Sequence, residues 1–465
     1  MSTITLRPYQ LDALERTRAE FRRGAKSVLY VAPPGSGKTL TFAAICRGAA
    51  ERGNRVLILC HRAELVEQIS RALAETGVGH GFIAANYDYR AREQVYVASV
   101  QTLVRRLDLI VPPDLIICDE AHHAAGQNSW AAVFKRFAGA RRLGVTASPV
   151  RLSGESLAEH FDSLVVGPTY EELIHDGYLS PCKVYAPPTI DTQGLHSRAG
   201  DYVTAELEAR TGKPHVTGDA IEHYIRHTPG KRAVLFDVSV QAARGRAQAF
   251  RDRGFPAACI DGSLEASHRR SLVADFRAGR LTILTSCELI SEGFDLPAIE
   301  VGISLRPTQS LGLFLQQTGR ILRPFPGKSV SVLFDHAGNV HRFGLPTETR
   351  SWTLSRSDPR VKRAVFRAGI RICPACFAAS PARSMVCSEC GAEFASSPRT
   401  VVERAGELKE ITLSADQLAA RRKRQEQGQA RTLEALIHLG RRRRLKHPEA
   451  WARRLLAARQ RSRRT

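Results

Sequence analysis

Residues 28–39 read VLYVAPPGSGKT, and this stretch decides the fold. Val28-Leu29-Tyr30-Val31 is a short apolar run, the pattern of a strand buried in a parallel sheet. The chain then breaks at Ala32-Pro33-Pro34, continues as Gly35-Ser36-Gly37-Lys38-Thr39, and resumes an apolar helical pattern from Leu40. The string fills the G-x-x-x-x-G-K-T phosphate loop except at its first position, where Ala32 replaces glycine. Glycines let successive backbone N–H groups turn toward phosphate oxygens, and the following helix adds its positive end. Pro34, Gly35, Ser36 and Gly37 would shape that cradle. Lys38 would reach the β- and γ-phosphates and the Thr39 hydroxyl would hold Mg²⁺.

Working outward, strand and helix alternate. Strands are expected at 55–60, 95–100, 115–118 and 142–145, with a helix over 61–74. Such alternation specifies an α/β domain with a mostly parallel sheet. Polar residues recur just past the strand ends, where open α/β sheets place their sites. The run Leu115-Ile116-Ile117-Cys118 ends at Asp119 and Glu120, two adjacent carboxylates. Asp119 is suited to hold Mg²⁺, and Glu120 to orient or deprotonate the water that attacks a γ-phosphate. Coupled to a phosphate loop, the pair points to nucleotide hydrolysis. His122 is expected to link this site to other motifs, whereas His123 reads as a solvent-facing histidine. Upstream, Leu6-Arg7-Pro8-Tyr9-Gln10 precedes a helix over 10–21, and the Gln10 amide can pair with an adenine edge by donating and accepting at once.

The alternation fades between Pro149 and Thr228, where 171–179 reads as a short helix and turn and 189–217 is polar and aperiodic. A second α/β unit follows, with strands at 232–236, 257–260, 282–285 and 300–303 and helices at 240–250 and 264–276. It carries no phosphate loop. Gly293, Asp295, Arg320 and Arg323 are its residues suited to face a nucleotide held by the first unit. Arg320 and Arg323 lie three apart, on one helix face, and guanidinium groups there would offset charge on a transferred phosphoryl group.

The ordered set Gln10, APPGSGKT, Asp119-Glu120-Ala121-His122, Thr146-Ala147-Ser148-Pro149, ILTSCELISEGFDLP at 283–297 and QQTGRILR at 316–323 resembles superfamily 2 helicases. Within them it is closest to the DEAH-box branch that includes restriction-enzyme helicase subunits and xeroderma-type repair helicases. The resemblance covers about residues 1–345 and implies two RecA-like domains, with ATP between them and nucleic acid across their top. It assigns Arg7 and Gln10 to the nucleotide base and Arg62, Gln101 and Thr102 to a nucleic-acid strand. It makes His122, Thr146, Ser148 and Gln316 the residues that couple hydrolysis to domain movement. Ser148 stands where threonine is more common, and Gln317 where arginine is.

Past residue 346 the composition becomes polar and basic. Cys373-Pro374-Ala375-Cys376 and Cys387-Ser388-Glu389-Cys390 then supply two C-x-x-C pairs ten residues apart. Four thiolates on two knuckles suit a tetrahedral Zn²⁺ site, although the same sulfur set can hold iron. The other six cysteines are scattered, which argues against a disulfide scaffold and for a reducing, cytoplasmic setting. No basic-then-apolar leader opens the chain, and no apolar run approaches a membrane span.

The formal charge of +22 calls for a polyanionic partner. Residues 421–465 alone hold 16 Lys or Arg against 3 Asp or Glu. Their helical pattern would present Arg441, Arg442, Arg443, Arg444 and Lys446 to phosphates. Four cysteines followed by a basic helical end resemble bacterial and phage helicases of the radiation-resistance type.

The expected organisation is therefore a first RecA-like domain at 1–150, a connector at 151–228, and a second RecA-like domain at 229–345. A zinc-ribbon region at 346–413 and a basic helical region at 414–465 complete it. The expected activity is ATP-dependent translocation on, or remodelling of, DNA in repair or recombination, with ATP, Mg²⁺ and Zn²⁺. The alternatives are an RNA helicase, the motor subunit of a restriction complex, and a nucleic-acid binding module with a vestigial motor.

Overall fold

The computed structural model describes residues 5–85, 87–90, 92–124, 128–149, 157–186, 197–198, 201–202, 214–287, 296, 298–354, 370–394, 426, 430, 432–443, 445 and 447–461. It divides into a unit of 1–396 and a unit of 397–465.

The first lobe is a parallel sheet of seven strands. In chain order its elements are α1 (Pro8–Arg22), β1 (Ser27–Val31), α2 (Lys38–Ala50), β2 (Val56–Cys60), α3 (Ala63–Glu75), β3 (Gly81–Ile83), β4 (Val95–Ser99), α4 (Val100–Leu103), β5 (Leu115–Asp119), α5 (Ser129–Arg136), β6 (Arg141–Thr146) and β7 (Ser163–Val166). The spatial order is β3-β4-β2-β5-β6-β1-β7. Strands β1, β2 and β5 are buried along their whole length, as continuous apolar runs covered on both faces must be. Phe42, Val66 and Ile69 build the core on one face, and Leu103, Trp130 and Phe134 build it on the other.

The second lobe begins inside the connector. After α6 (Tyr170–His175), strand β8 (Cys182–Tyr185) crosses over and pairs in parallel with β15 (Ser331–Asp335). Between them run a small hairpin, β9 (Ser197–Arg198) and β10 (Asp201–Tyr202), then α7 (Pro214–His227), β11 (Ala233–Phe236), α8 (Val240–Asp252), β12 (Ala257–Cys259), α9 (Ala266–Arg277), β13 (Ile283–Ser286), β14 (Val301–Ser304) and α10 (Leu311–Ile321). Helix α11 (Asn339–Phe343) closes the lobe. The six strands are ordered β12-β13-β11-β14-β15-β8. The two helix-flanked parallel sheets are the architecture expected of the sequence. The edge strands β7 and β8 were not foreseen, because each is short and lies in the stretch where periodicity fades.

A two-stranded ribbon, β16 (Ile370–Ile372) and β17 (Ala379–Pro381), carries the four clustered cysteines. It docks on the β8 edge: the Ala186 N–H donates to the Phe377 carbonyl at 3.1 Å, and Lys183 pairs with Glu389 at 2.5 Å. In the 397–465 unit, α12 (Leu433–Arg442) and α13 (Pro448–Arg461) form a hairpin that buries Leu436, Leu439 and Ala452. The helical pattern read at 414–425 lies outside the described residues. Among the described residues no helix is long and apolar enough to cross a membrane.

Candidate active site and its partner surfaces

The turn that follows β1 holds Gly35 and Gly37 in the left-handed region, at φ 82° and 75°. Gly37 caps α2 without a side chain, which leaves the helix N-terminus open to an anion. A Cβ on Gly37 would lie 2.5 Å from Gln10 Nε2, so any side chain there would displace the Gln10 amide. The loop is held from below by α1. Tyr9 donates its hydroxyl to the Ser36 carbonyl at 2.8 Å. Gln10 donates to the carbonyls of Ser36 and Gly37 at 3.4 and 3.2 Å and accepts the Arg7 N–H at 2.9 Å. Gln10 is 2% exposed, and its amide is engaged with the phosphate loop. The Arg7 guanidinium lies 4.4 Å from the centre of the Tyr178 ring. Tyr9 is a buttress that the sequence reading passed over, although R-P-Y-Q displays it.

Lys38 is folded onto its own loop, donating to the Ala32 and Pro33 carbonyls at 3.1 and 3.2 Å. Burial lowers the pKa of its ammonium, while Glu120 and Asp119 act in the opposite sense. Asp119 is 6% exposed. Burial, with Glu120 alongside, raises its pKa to about 7. Two adjacent carboxylates in so dry a place need a cation to ionise together. Ser36 Oγ, in the loop itself, is buried without a hydrogen-bond partner among the described residues. Acids, loop and hydroxyl thus suit a phosphate chain, and Asp119 and Thr39, the two residues that could hold a cation beside it, line the same cavity.

Glu120 has φ 49°, a costly value for a non-glycine residue. It reverses the chain into the turn Ala121–Ala124. His122 Nδ1 is 3.1 Å from Thr146 Oγ1 and 3.3 Å from Glu120 Oε2. The Thr146 hydroxyl donates to the Ser148 carbonyl at 3.0 Å, so Nδ1 must be the donor toward Thr146. Ser148 returns its N–H to Thr146 Oγ1 at 3.2 Å. The predicted coupling residues His122, Thr146 and Ser148 therefore form one hydrogen-bonded chain, and its His122 end lies beside the Glu120 carboxylate.

Helix α10 closes the site from the second lobe. Its N-cap Ser310 accepts from the Leu313 N–H, and its far end abuts the phosphate loop. A Cβ on Gly319 would fall 2.2 Å from Pro34 Cβ. Gln316, Arg320 and Arg323 line the same cavity of about 680 Å³ as Pro34, Gly35, Gly37, Lys38, Thr39, Asp119 and Glu120. Arg71, Arg270 and Arg277 also reach this cavity, from α3 and α9. Sequence reading missed them because arginines on exposed helices carry no local motif. Gly293 and Asp295 lie outside the described residues.

Arg62, Gln101 and Thr102 emerge at the ends of β2 and β4, on the same sheet edge as the Asp119-Glu120 turn. Arg62 caps α3 and Gln101 accepts from Ser99 Oγ at 2.9 Å. In the 397–465 unit, Arg441 pairs with Glu449 at 3.2 Å, and Arg442 and Arg443 pair with Glu426 at 2.9 and 3.3 Å. Arg444 and Lys446 lie outside the described residues.

The sulfurs of Cys373, Cys376, Cys387 and Cys390 all lie within 4.8 Å of one another. Cys373 and Cys390 are 3.5 Å apart, and Cys376 and Cys387 are 3.6 Å apart. A tetrahedron of thiolates about 2.3 Å from zinc has sulfurs roughly 3.8 Å apart, so the cluster fits one Zn²⁺.

Residues 3–151 match the family described as type III restriction enzyme, res subunit, and residues 217–324 match the helicase conserved C-terminal domain. A 51.5 kDa protein of a Lactococcus phage is 34% identical over 363 residues, 78% of this chain and 77% of that protein. A Saccharomyces cerevisiae protein provisionally named ATP-dependent helicase IRC3 is 27% identical over 359 residues, 72% of this chain but 52% of its own length. In fold, the chain resembles a fragment of a provisionally named HsdR subunit of a type I restriction enzyme from Vibrio vulnificus. The TM-score is 0.57 at 22% identity, covering 71% of this chain and 64% of that one.

Proposed function

The chain belongs to the superfamily 2 helicases, related to restriction-enzyme motor subunits, and on that premise we propose that it is an ATP-driven motor of the DEAH-box type acting on DNA. One observation carries the reading: Lys38, Asp119 and Glu120 of one lobe meet Arg320 and Arg323 of the other in a single cavity.

In the proposed cycle, the N–H groups of 35–39 and Lys38 take the phosphates. Lys38 exchanges its two loop carbonyls for phosphate oxygens. Thr39 and Asp119 would hold Mg²⁺, which when bound neutralises phosphate charge. Glu120 orients the attacking water and takes its proton. Arg320 and Arg323 offset the charge that develops on the γ-phosphoryl group, so turnover requires closed lobes. Gln10, tied to the loop in this structure, would read the adenine edge only by releasing one of its loop carbonyls. On phosphate release, the chain from Glu120 through His122 to Thr146 and Ser148 lets the lobes part.

DNA is favoured by the kinship with restriction-enzyme motors and by the charge of +22. The arginines of α12 are available to phosphates, because exposed ion pairs of the kind that engage them are worth only about 0–1 kcal/mol. The testing experiment measures phosphate release with single-stranded DNA, duplex DNA, forked DNA and RNA as activators. It compares the native chain with Lys38→Ala and Glu120→Gln. Both variants are expected to lose turnover, while Glu120→Gln keeps nucleotide binding. Normal release by both variants would remove the assignment, and stimulation by RNA alone would replace DNA with RNA.

A further inference from the structure

His123, which the sequence leaves as a solvent-facing residue, is packed between two functional segments. Its ring centre lies 4.2 Å from that of His122 and 4.0 Å from that of His61. The sheet explains how this comes about. Strands β2 and β5 are parallel neighbours with Leu59 opposite Cys118, so the chain leaves both strands side by side. His61, two residues past Leu59, thereby comes level with Glu120, two past Cys118. Glu120 turns back at φ 49°, and the His123 N–H is held on the Glu120 carbonyl at 3.0 Å. The two histidines of this turn then diverge. His122 goes to Thr146 on the β6 side, and His123 goes to His61 on the β2 side. Next to His61 is Arg62, whose carbonyl accepts from Cys60 Sγ at 3.7 Å and which caps α3.

We propose that His123 and His61 are a positioning pair that carries strand occupancy at the 61–62 turn to the Glu120 carboxylate. Rings in van der Waals contact inside a packed edge cannot shift independently. A nucleic-acid strand that draws Arg62 toward its phosphates moves His61, and His61 moves His123. His123 in turn rotates the Glu120 peptide through the hydrogen bond on its carbonyl. The His122 side reports nucleotide state to the lobe interface, and the His123 side brings nucleic-acid state in. The inference rests on the proposed nucleic-acid-driven motor. It adds the route by which the strand accelerates hydrolysis.

The test uses the full chain, with ATP hydrolysis measured alone and with saturating single-stranded DNA, and DNA affinity by fluorescence anisotropy. In His123→Ala the DNA-stimulated rate is expected to fall by about five- to thirtyfold, with the basal rate and DNA affinity close to native. His123→Phe keeps a ring in contact with His61 and is expected to restore most of the stimulation. Adding His61→Ala to His123→Ala should cost no further stimulation, since the contact is already gone. Undiminished stimulation in His123→Ala would overturn the inference. So would an equal fall in basal and stimulated rates, or multiplied losses in the double variant. A native chain that hydrolyses ATP but responds to no nucleic acid would overturn the motor reading together with this inference. A stimulated native chain matched by His123→Ala removes the inference alone.

Discussion

After β1 in the first lobe the chain turns through two left-handed glycines, and α2 begins with a bare N-terminus capped by Gly37. After β11 in the second lobe the corresponding turn is Asp237-Val238-Ser239, and α8 begins with its N-terminus already occupied. Ser239 accepts the Ala242 N–H at 3.2 Å. Asp237 accepts the Val238 N–H at 2.8 Å and forms a buried ion pair with Arg246. The sheets are alike, yet one turn exposes its donors to an anion and the other satisfies them internally. The second lobe therefore contributes to the nucleotide site not through a loop of its own but through side chains of α9 and the far end of α10. A site split in this way is complete only when the lobes touch, which is how closure can gate hydrolysis.

Arg320→Ala should break that division of labour most severely, because an arginine opposite a transferred phosphoryl group is worth about 10³–10⁵ in rate. Gly319→Ala leaves both guanidinium groups in place but puts a methyl 2.2 Å from Pro34 Cβ, so α10 cannot seat on the loop. A misplacement on the order of 1 Å costs about a hundredfold. Both variants are expected to retain nucleotide affinity, which the first lobe supplies. Stopped-flow binding of a fluorescent nucleotide alongside steady-state hydrolysis separates the two effects. Nucleotide affinity that falls in step with the rate would mean that the site is not divided between lobes.

The cysteine ribbon sharpens the contrast, since it leans on the β8 edge of the second lobe. Cys387→Ser is expected to release the metal and to open residues 370–394 to proteolysis, because so small an element draws much of its stability from the ion. Hydrolysis at saturating DNA should persist, as no ribbon residue lines the nucleotide cavity. Metal analysis by mass spectrometry, with limited proteolysis and a rate measurement, checks all three. A full zinc retained in the variant would show that Cys387 is not a ligand.

Most of the fold was legible because buried parallel strands announce themselves as apolar runs, and the phosphate loop, the Asp119-Glu120 pair and the C-x-x-C pairs are contiguous motifs. What stayed hidden depends on contacts between distant segments. β7 and β8 are four-residue strands, and their pairing with β1 and β15 is set by the sheets they join. Gln10 could be read as an adenine reader from its chemistry, but its hold on the loop carbonyls depends on how α1 packs. His123 appeared solvated because nothing in the string DEAHH reveals that His61 emerges beside it. Arg71, Arg270 and Arg277 came into view only once two helices faced each other across the cavity.

The mildest expected effect concerns how α10 is held at its arginine end. Lys328 donates to the carbonyls of Ile299 at 2.8 Å and Arg323 at 2.9 Å, and also to that of Ile321. It thereby places a cation at the C-terminus of α10, where the helix dipole favours one. Burial lowers its pKa to about 8, below the value near 10.4 of an unfolded lysine. Below about pH 8 both states carry the proton, and the cost of burying the charge is fully present. Between about 8 and 10.4 the unfolded chain holds a proton that the folded chain has shed, so stability rises with pH across that window. Lys328→Met removes this rise and also leaves three carbonyls short of a donor. Urea denaturation of both proteins at pH 7, 8, 9 and 10 should show the native chain gaining on the variant as pH increases. At pH 7 the variant is expected to hydrolyse ATP more slowly, because the turn that fixes Arg323 is loosened. A stability difference that stays flat from pH 7 to 10 would mean that the carbonyls hold the ammonium against its burial and that the α10 terminus keeps its cation throughout.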